Sequence, residues 1–191
     1  MLKGKLAKLA DVLIEKNISK IEDREIIIYG LSTGMELVLN TATTIVLGLV
    51  FGMVLESIIF SLSFSAIRIY AGGYHCQKAI NCYFFSSGIV ILVLAIVKFT
   101  PSKYILKISI FILLISVPVI LKLAPVETPT KPLDEVEKKY FRKKTVLHLS
   151  VESIVITILY ISNLSSFAYL ICLGIMASAV LVLLGYKKIK N

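Results

Sequence analysis

The chain of 191 residues is 57% hydrophobic, has a mean hydropathy of +0.88 and carries a formal net charge of +9. Its apolar fraction exceeds that of ordinary soluble domains, which excludes a water-facing globule for most of the chain. No nucleic-acid-binding motif accompanies the positive charge, so the charge predicts orientation in a membrane and attraction to anionic lipid.

The first predicted element is an amphipathic helix. Leu2, Leu6, Leu9 and Leu13 recur at helical spacing with lysines between them. This pattern predicts a helix that lies on the inner membrane surface or packs on the protein's own cytoplasmic face. Either alternative makes residues 1–30 a cytoplasmic N-terminal segment. No short apolar core follows the basic start, so we expect no cleaved signal peptide.

Six apolar segments follow, and each is a candidate for a membrane span, which needs about 20 residues as a helix. They lie near residues 33–54, 57–71, 82–99, 104–124, 146–162 and 166–185. The segments 57–71 and 146–162 are shorter and more polar, and full crossing by the former stays open. The sequence predicts an all-α polytopic membrane protein, with residues 1–191 forming one membrane-embedded domain.

Lysine and arginine positions predict the orientation of these spans. Six lie before residue 31, two are Arg68 and Lys78, seven lie from Lys122 to Lys144 and three are at the C-terminus, which makes 18 of 21. The positive-inside rule therefore places both termini, the loop near Lys78 and a basic loop at 122–145 in the cytoplasm.

The residues with the most evident chemistry lie between the second and third spans. On one unbroken helix His75 and Cys82 would be separated by about 10 Å of rise, too far for a hydrogen bond. We therefore expect the helix to break, with Gly72 and Gly73 as the hinge and residues 72–81 as a loop. An imidazole near a thiol can take its proton and return it to a leaving amine.

The other cysteines have simpler interpretations. His75, Cys76 and Cys82 are three potential metal ligands without a clear fourth, so we expect no metal and no cofactor. A disulfide between Cys76 and Cys82 is disfavoured by a reducing cytoplasm. Cys172 lies among apolar residues of the last span and is expected to be a core residue.

Ionisable residues within spans usually face protein, water or a partner charge, because they are costly in hydrocarbon. Glu36, Arg68 and Glu152 are of this kind. Glu152 could pair with Arg68 or a lysine and support the site from behind, or it could face an unrelated polar cavity. Gly48 and Gly52 form a G-x3-G pair, a pattern that permits close helix contact and dimerisation.

The spacing R-x3-G-G-x-H-x6-C, followed downstream by an A-P…K-P-L loop, resembles the accessory gene regulator B (AgrB) proteins of Gram-positive bacteria. The resemblance covers most of the chain, including its length and hydrophobic pattern. The matching positions are Arg68, Gly72, Gly73, His75, Cys82, Lys131 and Pro132.

This resemblance implies a cysteine endopeptidase of the cell membrane, with its site near the cytoplasmic face. It would remove the C-terminal part of a small AgrD-like propeptide and retain the peptide as a thioester on Cys82. An internal thiol or hydroxyl of the peptide would then close a thiolactone or lactone, an autoinducing peptide for quorum sensing. The resemblance implies His75 as general base and acid, Arg68 and Lys131 as peptide-binding groups, Gly73 as a point of close approach, and a homodimer.

Two other classes remain open. A small transporter that exports peptide without proteolysis would depend on Glu36 or Glu152 and tolerate Cys82→Ser. A noncatalytic scaffold would use only the basic loops and survive all three changes. Arg68 itself could be only a positive-inside anchor.

Overall fold

The computed structural model describes residues 2–16, 20–74, 76, 79–127 and 133–190. Within them lie seven α-helices: α1 (Leu2–Glu15), α2 (Arg24–Phe51), α3 (Val54–Ala71), α4 (Ala79–Phe99), α5 (Ser102–Leu123), α6 (Glu135–Ile161) and α7 (Ser165–Lys190). The helices α2 to α7 are long and apolar enough to cross a membrane. They confirm the predicted all-α class with six candidate spans.

The chain forms two compact units, residues 1–43 and 44–191. In the first unit, Arg24 Nε donates to Asp11 Oδ1 at 2.7 Å and so joins α1 to the start of α2. This hydrogen bond holds the pKa of Asp11 below its ordinary value. The helix α1 contains the four leucines on which the N-terminal helix was predicted, whereas its position at a membrane surface stays a prediction.

The helix α2 begins at Arg24 instead of near residue 33. Glutamate, serine, threonine and two glycines lower the hydropathy of its first turns, although none of them prevents a helix. Glycine is also more frequent in membrane helices than in soluble ones. Hydropathy alone therefore placed the start of this helix too late.

In the second unit, α7 is the central helix and contacts α3, α4, α5 and α6. In its most apolar stretch of 18 residues, 67% of the residues are buried, compared with 28% in the similarly apolar α5. Small residues on α7 let the neighbouring α3 pack closely against it. Ser178 Oγ donates to Phe64 O at 3.3 Å, and a Cβ on Gly174 would lie 2.5 Å from Ser63 Oγ. Cys172 is fully buried in this core, as predicted.

The helix α6 starts well before its apolar part. Asp134 caps it, because Glu137 N donates to Asp134 Oδ1 at 2.7 Å and Asp134 N donates to Glu137 Oε2 at 3.2 Å. This reciprocal pair satisfies two backbone donors that a helix start leaves open. The helix therefore begins within the segment that the sequence predicted as a basic loop at 122–145.

The glycine pair of the first span, Gly48 and Gly52, lies at the turn between α2 and α3. A Cβ on Gly48 would lie 2.6 Å from Ser57 Oγ, so Gly48 packs against the first turn of α3. Gly52 has a φ of +69° and lies beyond the end of α2. The pair allows α2 and α3 to approach closely, and the homodimer stays a prediction.

We expect Gly174→Leu to destabilise the second unit by about 1–3 kcal/mol, because the added side chain overpacks the α3–α7 contact. Gly88→Leu on α4 is the matched control, since a Cβ there meets nothing within 4 Å. Thermal unfolding of both variants in the same lipid nanodiscs measures the difference. Equal melting temperatures would contradict the close α3–α7 packing.

Candidate functional site

The helix break predicted between the second and third spans is present. The helix α3 ends at Ala71 and α4 begins at Ala79. Gly72 has a φ of +69° and Gly73 a φ of +121°, which are backbone conformations that other residues rarely adopt. The two glycines therefore allow the chain to leave α3 and turn, as expected.

The α3–α4 loop packs directly on the backbone of α7. Tyr74 N donates to Leu181 O at 2.8 Å, although Leu181 lies within a helix. A Cβ on Gly73 would lie 2.8 Å from Leu181 O, and one on Gly185 would lie 2.6 Å from Gly73 C. The absence of side chains at both glycines lets the two backbones touch.

The beginning of the predicted basic loop also contacts this break. Val126 N donates to Ala71 O at 2.9 Å, and Gly72 and Val126 form an isolated parallel β-bridge. Arg142 Nη1 donates to Ala124 O at 2.9 Å, which holds the same segment from α6. The structure therefore brings together the two loops that the sequence singled out.

A carboxylate joins the two described ends of the basic loop. Glu127 Oε1 lies 2.9 Å from Lys138 Nζ, and Glu127 Oε2 accepts from Leu133 N at 3.2 Å. The hydrogen bond with Lys138, and then that with Leu133, lower the pKa of Glu127. A carboxyl with a lowered folded pKa stabilises the fold above its unfolded pKa, and this contribution is lost as the pH falls through the folded pKa.

Three of the predicted site residues, His75, Lys131 and Pro132, lie outside the described residues. Their predicted roles stay predictions. No cluster of three potential metal ligands occurs among the residues that the structure does describe, and His75 lies outside them. The expected absence of a metal therefore stays a prediction too.

Arg68 is directed to the α3–α4 loop. Its guanidinium donates to Tyr74 O and reaches Gly72 O at 3.5 Å, while it lies 5.9 Å from the centre of the Phe64 ring. One side chain from α3 thus holds the backbone of the loop that leads to Cys76.

Cys76 and Cys82 are both half-buried and free. Burial raises the pKa of Cys76, and the charge of Cys82 and a hydrogen bond with Cys82 raise it further. Lys188 Nζ, which lies 4.9 Å from the centre of the Tyr74 ring, acts on the Cys76 thiol in the opposite direction. Two interacting thiols and two cations therefore share one end of the second unit.

Glu152 does not pair with Arg68. Ser63 Oγ donates to Glu152 Oε2 at 2.9 Å, and no salt bridge to Glu152 occurs within the described residues. Ser63 and Arg68 are five residues apart on α3, which places them about 140° apart around the helix. The predicted pair of Glu152 with Arg68 is therefore wrong, whereas support of the site by Glu152 through a lysine stays a prediction.

Several residues of this site were not predicted from the sequence. Leu181 and Gly185 of α7 hold the loop, Arg142 holds Ala124, and Lys188 lies over Tyr74. A glycine near the end of an apolar span, followed closely by lysines, was the available signal for α7. Its contact with a loop about 100 residues earlier had no signal in the local sequence.

The fold and this site define a multi-pass helical membrane protein with paired thiols beside an arginine-held loop. The chain belongs to the accessory gene regulator B (AgrB) family, whose profile matches residues 6–183. Family membership supports a role in the agr quorum-sensing system and implies membrane association and an AgrD-like propeptide partner.

Relatives of similar length support the same assignment. An AgrB-like protein of Clostridium perfringens (strain SM101 / Type A) is 29% identical over 185 residues, covering 92% of this chain and 86% of the relative. An AgrB-like protein of Listeria innocua is 28% identical over 155 residues, covering 79% of this chain and 75% of the relative. No solved structure matches the chain.

We expect Gly73→Ala to release the α3–α4 loop from α7, because the added Cβ would collide with the Leu181 carbonyl and the positive φ would be strained. Deuterium uptake at the Tyr74 amide, measured by mass spectrometry, should become at least about tenfold faster. Gly88→Ala is the control. Unchanged protection of Tyr74 in Gly73→Ala would contradict the backbone contact.

Proposed function

We propose that this protein is a membrane cysteine endopeptidase that cuts an AgrD-like propeptide and holds the product as a thioester on Cys82. The observation that carries the proposal is the position of Arg68, which donates to the carbonyls of Gly72 and Tyr74 in the loop that leads to Cys76 and Cys82. Family membership supports it, since the AgrB family is known as a processing enzyme.

Cys76 is a poor candidate for the nucleophile. A thiol attacks as its thiolate, so the raised pKa of Cys76 reduces its reactive fraction. Cys82 lies in the first turn of α4, beside the backbone N–H groups that begin this helix.

The proposed reaction proceeds by acyl transfer. His75 takes the proton of Cys82, whose sulfur attacks the scissile carbonyl carbon, and the C–N bond breaks as His75 returns the proton to the leaving amine. The first backbone N–H groups of α4 lack intrahelical acceptors and are candidate donors to the oxyanion. An internal thiol or hydroxyl of the held peptide then attacks the thioester, releases Cys82 and closes the ring.

Charge at this end of the molecule supports a cytoplasmic site. Arg68, Arg142, Lys138 and Lys188 all contact the two loops or their flanking residues. Lys98 and Lys103 lie instead beside the short α4–α5 turn. By the positive-inside rule, the end with more lysine and arginine residues faces the cytoplasm, where a newly made propeptide is available.

A peptide transporter without proteolysis is the second candidate. The buried Glu152 carboxyl favours it, because intramembrane carboxylates often mark transport pathways. It gives no role to Cys82 or to the hydrogen bonds that Arg68 donates to the loop. Neutralising Glu36 or Glu152 should abolish transport by such a protein, whereas Cys82→Ser should leave transport unchanged.

Cys82→Ala should abolish propeptide cleavage and the trapped thioester, because no other thiol would take its place. Cys76→Ser is the matched control and should retain at least about a third of wild-type cleavage, since loss of a non-reacting neighbour costs little. Mass spectrometry of the wild type and variants in lipid vesicles measures cleavage and adduct together. Full cleavage by Cys82→Ala would overturn the peptidase proposal.

Arg68→Lys should lower kcat for cleavage about 10- to 100-fold with KM changed less than about threefold. Lysine keeps the positive charge but lacks the planar guanidinium group that donates to the carbonyls of Gly72 and Tyr74 at once. Steady-state cleavage in vesicles separates kcat from KM. If Arg68 were only a positive-inside anchor, lysine would replace it and neither constant would change.

A further inference from the structure

The segment that follows α5 meets the α3–α4 loop at Val126. This residue is only 6% exposed, its N–H donates to Ala71 O at 2.9 Å, and it forms the isolated bridge with Gly72. A Cβ on Gly72 would collide with Val126 O. Val126 therefore lies against the backbone at the point where the chain leaves α3.

Gly72 is contacted by Arg68 as well as by Val126. Arg68 Nη1 reaches Gly72 O at 3.5 Å, and its Nη2 donates to Tyr74 O. The same loop continues to α4, whose first turn carries Cys82. A shift of Val126 would move Gly72, and with it the loop carbonyls that Arg68 binds.

Two side chains of α6 hold the chain on either side of Val126. Arg142 Nη1 donates to Ala124 O at 2.9 Å, and Lys138 Nζ lies 2.9 Å from Glu127 Oε1. Lys138 and Arg142 are four residues apart, so they lie on the same face of the helix. The helix α6 thus binds a backbone carbonyl before Val126 and a carboxylate after it.

Glu127 uses both of its carboxylate oxygens. Oε1 binds Lys138, and Oε2 accepts from Leu133 N at 3.2 Å, so the side chain is restrained at two points. The side chains of Lys138 and Glu127 are 36% and 37% exposed, and an ion pair with this exposure contributes little to global stability. Its effect is therefore local, on the position of the neighbouring Val126.

We propose that Glu127 is a positioning residue of the peptidase. Its ion pair with Lys138 keeps Val126 in place, and Val126 in turn fixes Gly72 in the loop that Arg68 binds. This inference rests on the proposed function, since it assigns Glu127 to the cleavage reaction. Small displacements matter there, because a misplacement of about 1 Å that originates far from the chemistry can slow a reaction about 100-fold.

Glu127→Gln tests the ion pair at nearly constant side-chain volume. Glutamine has one acceptor oxygen, so it cannot accept from both Lys138 and Leu133. In lipid vesicles, we expect kcat for cleavage of the AgrD-like propeptide of the same organism to fall about tenfold, with KM changed less than about threefold. The melting temperature should not change. The loss of kcat is moderate because Arg142 still holds Ala124.

Glu135→Gln is the matched control. Glu135 Oε1 lies 3.2 Å from the same Lys138 Nζ, but Glu135 belongs to α6 itself and its side chain is 83% exposed. The same substitution there should leave kcat unchanged. An equal loss of kcat in Glu127→Gln and Glu135→Gln would assign the effect to the surroundings of Lys138 and overturn the proposal.

A charge exchange separates positioning from a general structural role. Glu127→Lys alone should lower kcat at least about tenfold, because it places two ammonium groups side by side. Combined with Lys138→Glu, it should regain at least about a third of the wild-type kcat, because the ion pair forms again with its charges exchanged. Without such recovery in the double variant, the proposal fails.

Hydrogen exchange reports the contact without any cleavage. We expect the Val126 amide, which donates to Ala71 O, to exchange at least about tenfold faster in Glu127→Gln and at the wild-type rate in Glu135→Gln. Unchanged exchange in Glu127→Gln, or faster exchange with an unchanged kcat, would overturn the positioning role. Faster exchange in a chain whose wild type cleaves no propeptide would reject the peptidase mechanism, and the positioning role with it, while keeping the contact between Glu127 and α6.

Discussion

The close contact between the α3–α4 loop and the backbone of α7 is the constraint on which the site depends. Gly73 and Gly185 together remove the side chains that would keep these backbones apart. The resulting bond from Tyr74 N to Leu181 O fixes the loop residue whose carbonyl accepts from Arg68. The position of the guanidinium at the loop follows from that bond, because Arg68 is held by the loop that it also stabilises.

The spans and the helix break could be predicted because their signals are local. Twenty apolar residues need a helix in lipid, and Gly72 followed by Gly73 permits positive φ angles that interrupt one. The central position of α7 could not be predicted from hydropathy, since α5 is almost as apolar. Lipid is as apolar as a protein core, so small residues such as Gly174 decide which helices pack closely.

The site was only partly predictable for a related reason. Arg68 and Cys82 belong to one short motif, whereas Leu181 and Arg142 reach the same region from distant helices. Contacts of that kind depend on tertiary packing. The sequence also left Glu152 open between Arg68, a lysine and an unrelated polar cavity, and the angle around α3 between Ser63 and Arg68 explains why Glu152 does not pair with Arg68.

That angle lets α3 hold two regions at once. One face carries Arg68 towards the α3–α4 loop, and another carries Ser63 towards Glu152 of α6. Both contacts depend on one helix, so a rotation of α3 about its axis would move Arg68 away from the loop and Ser63 away from Glu152 together.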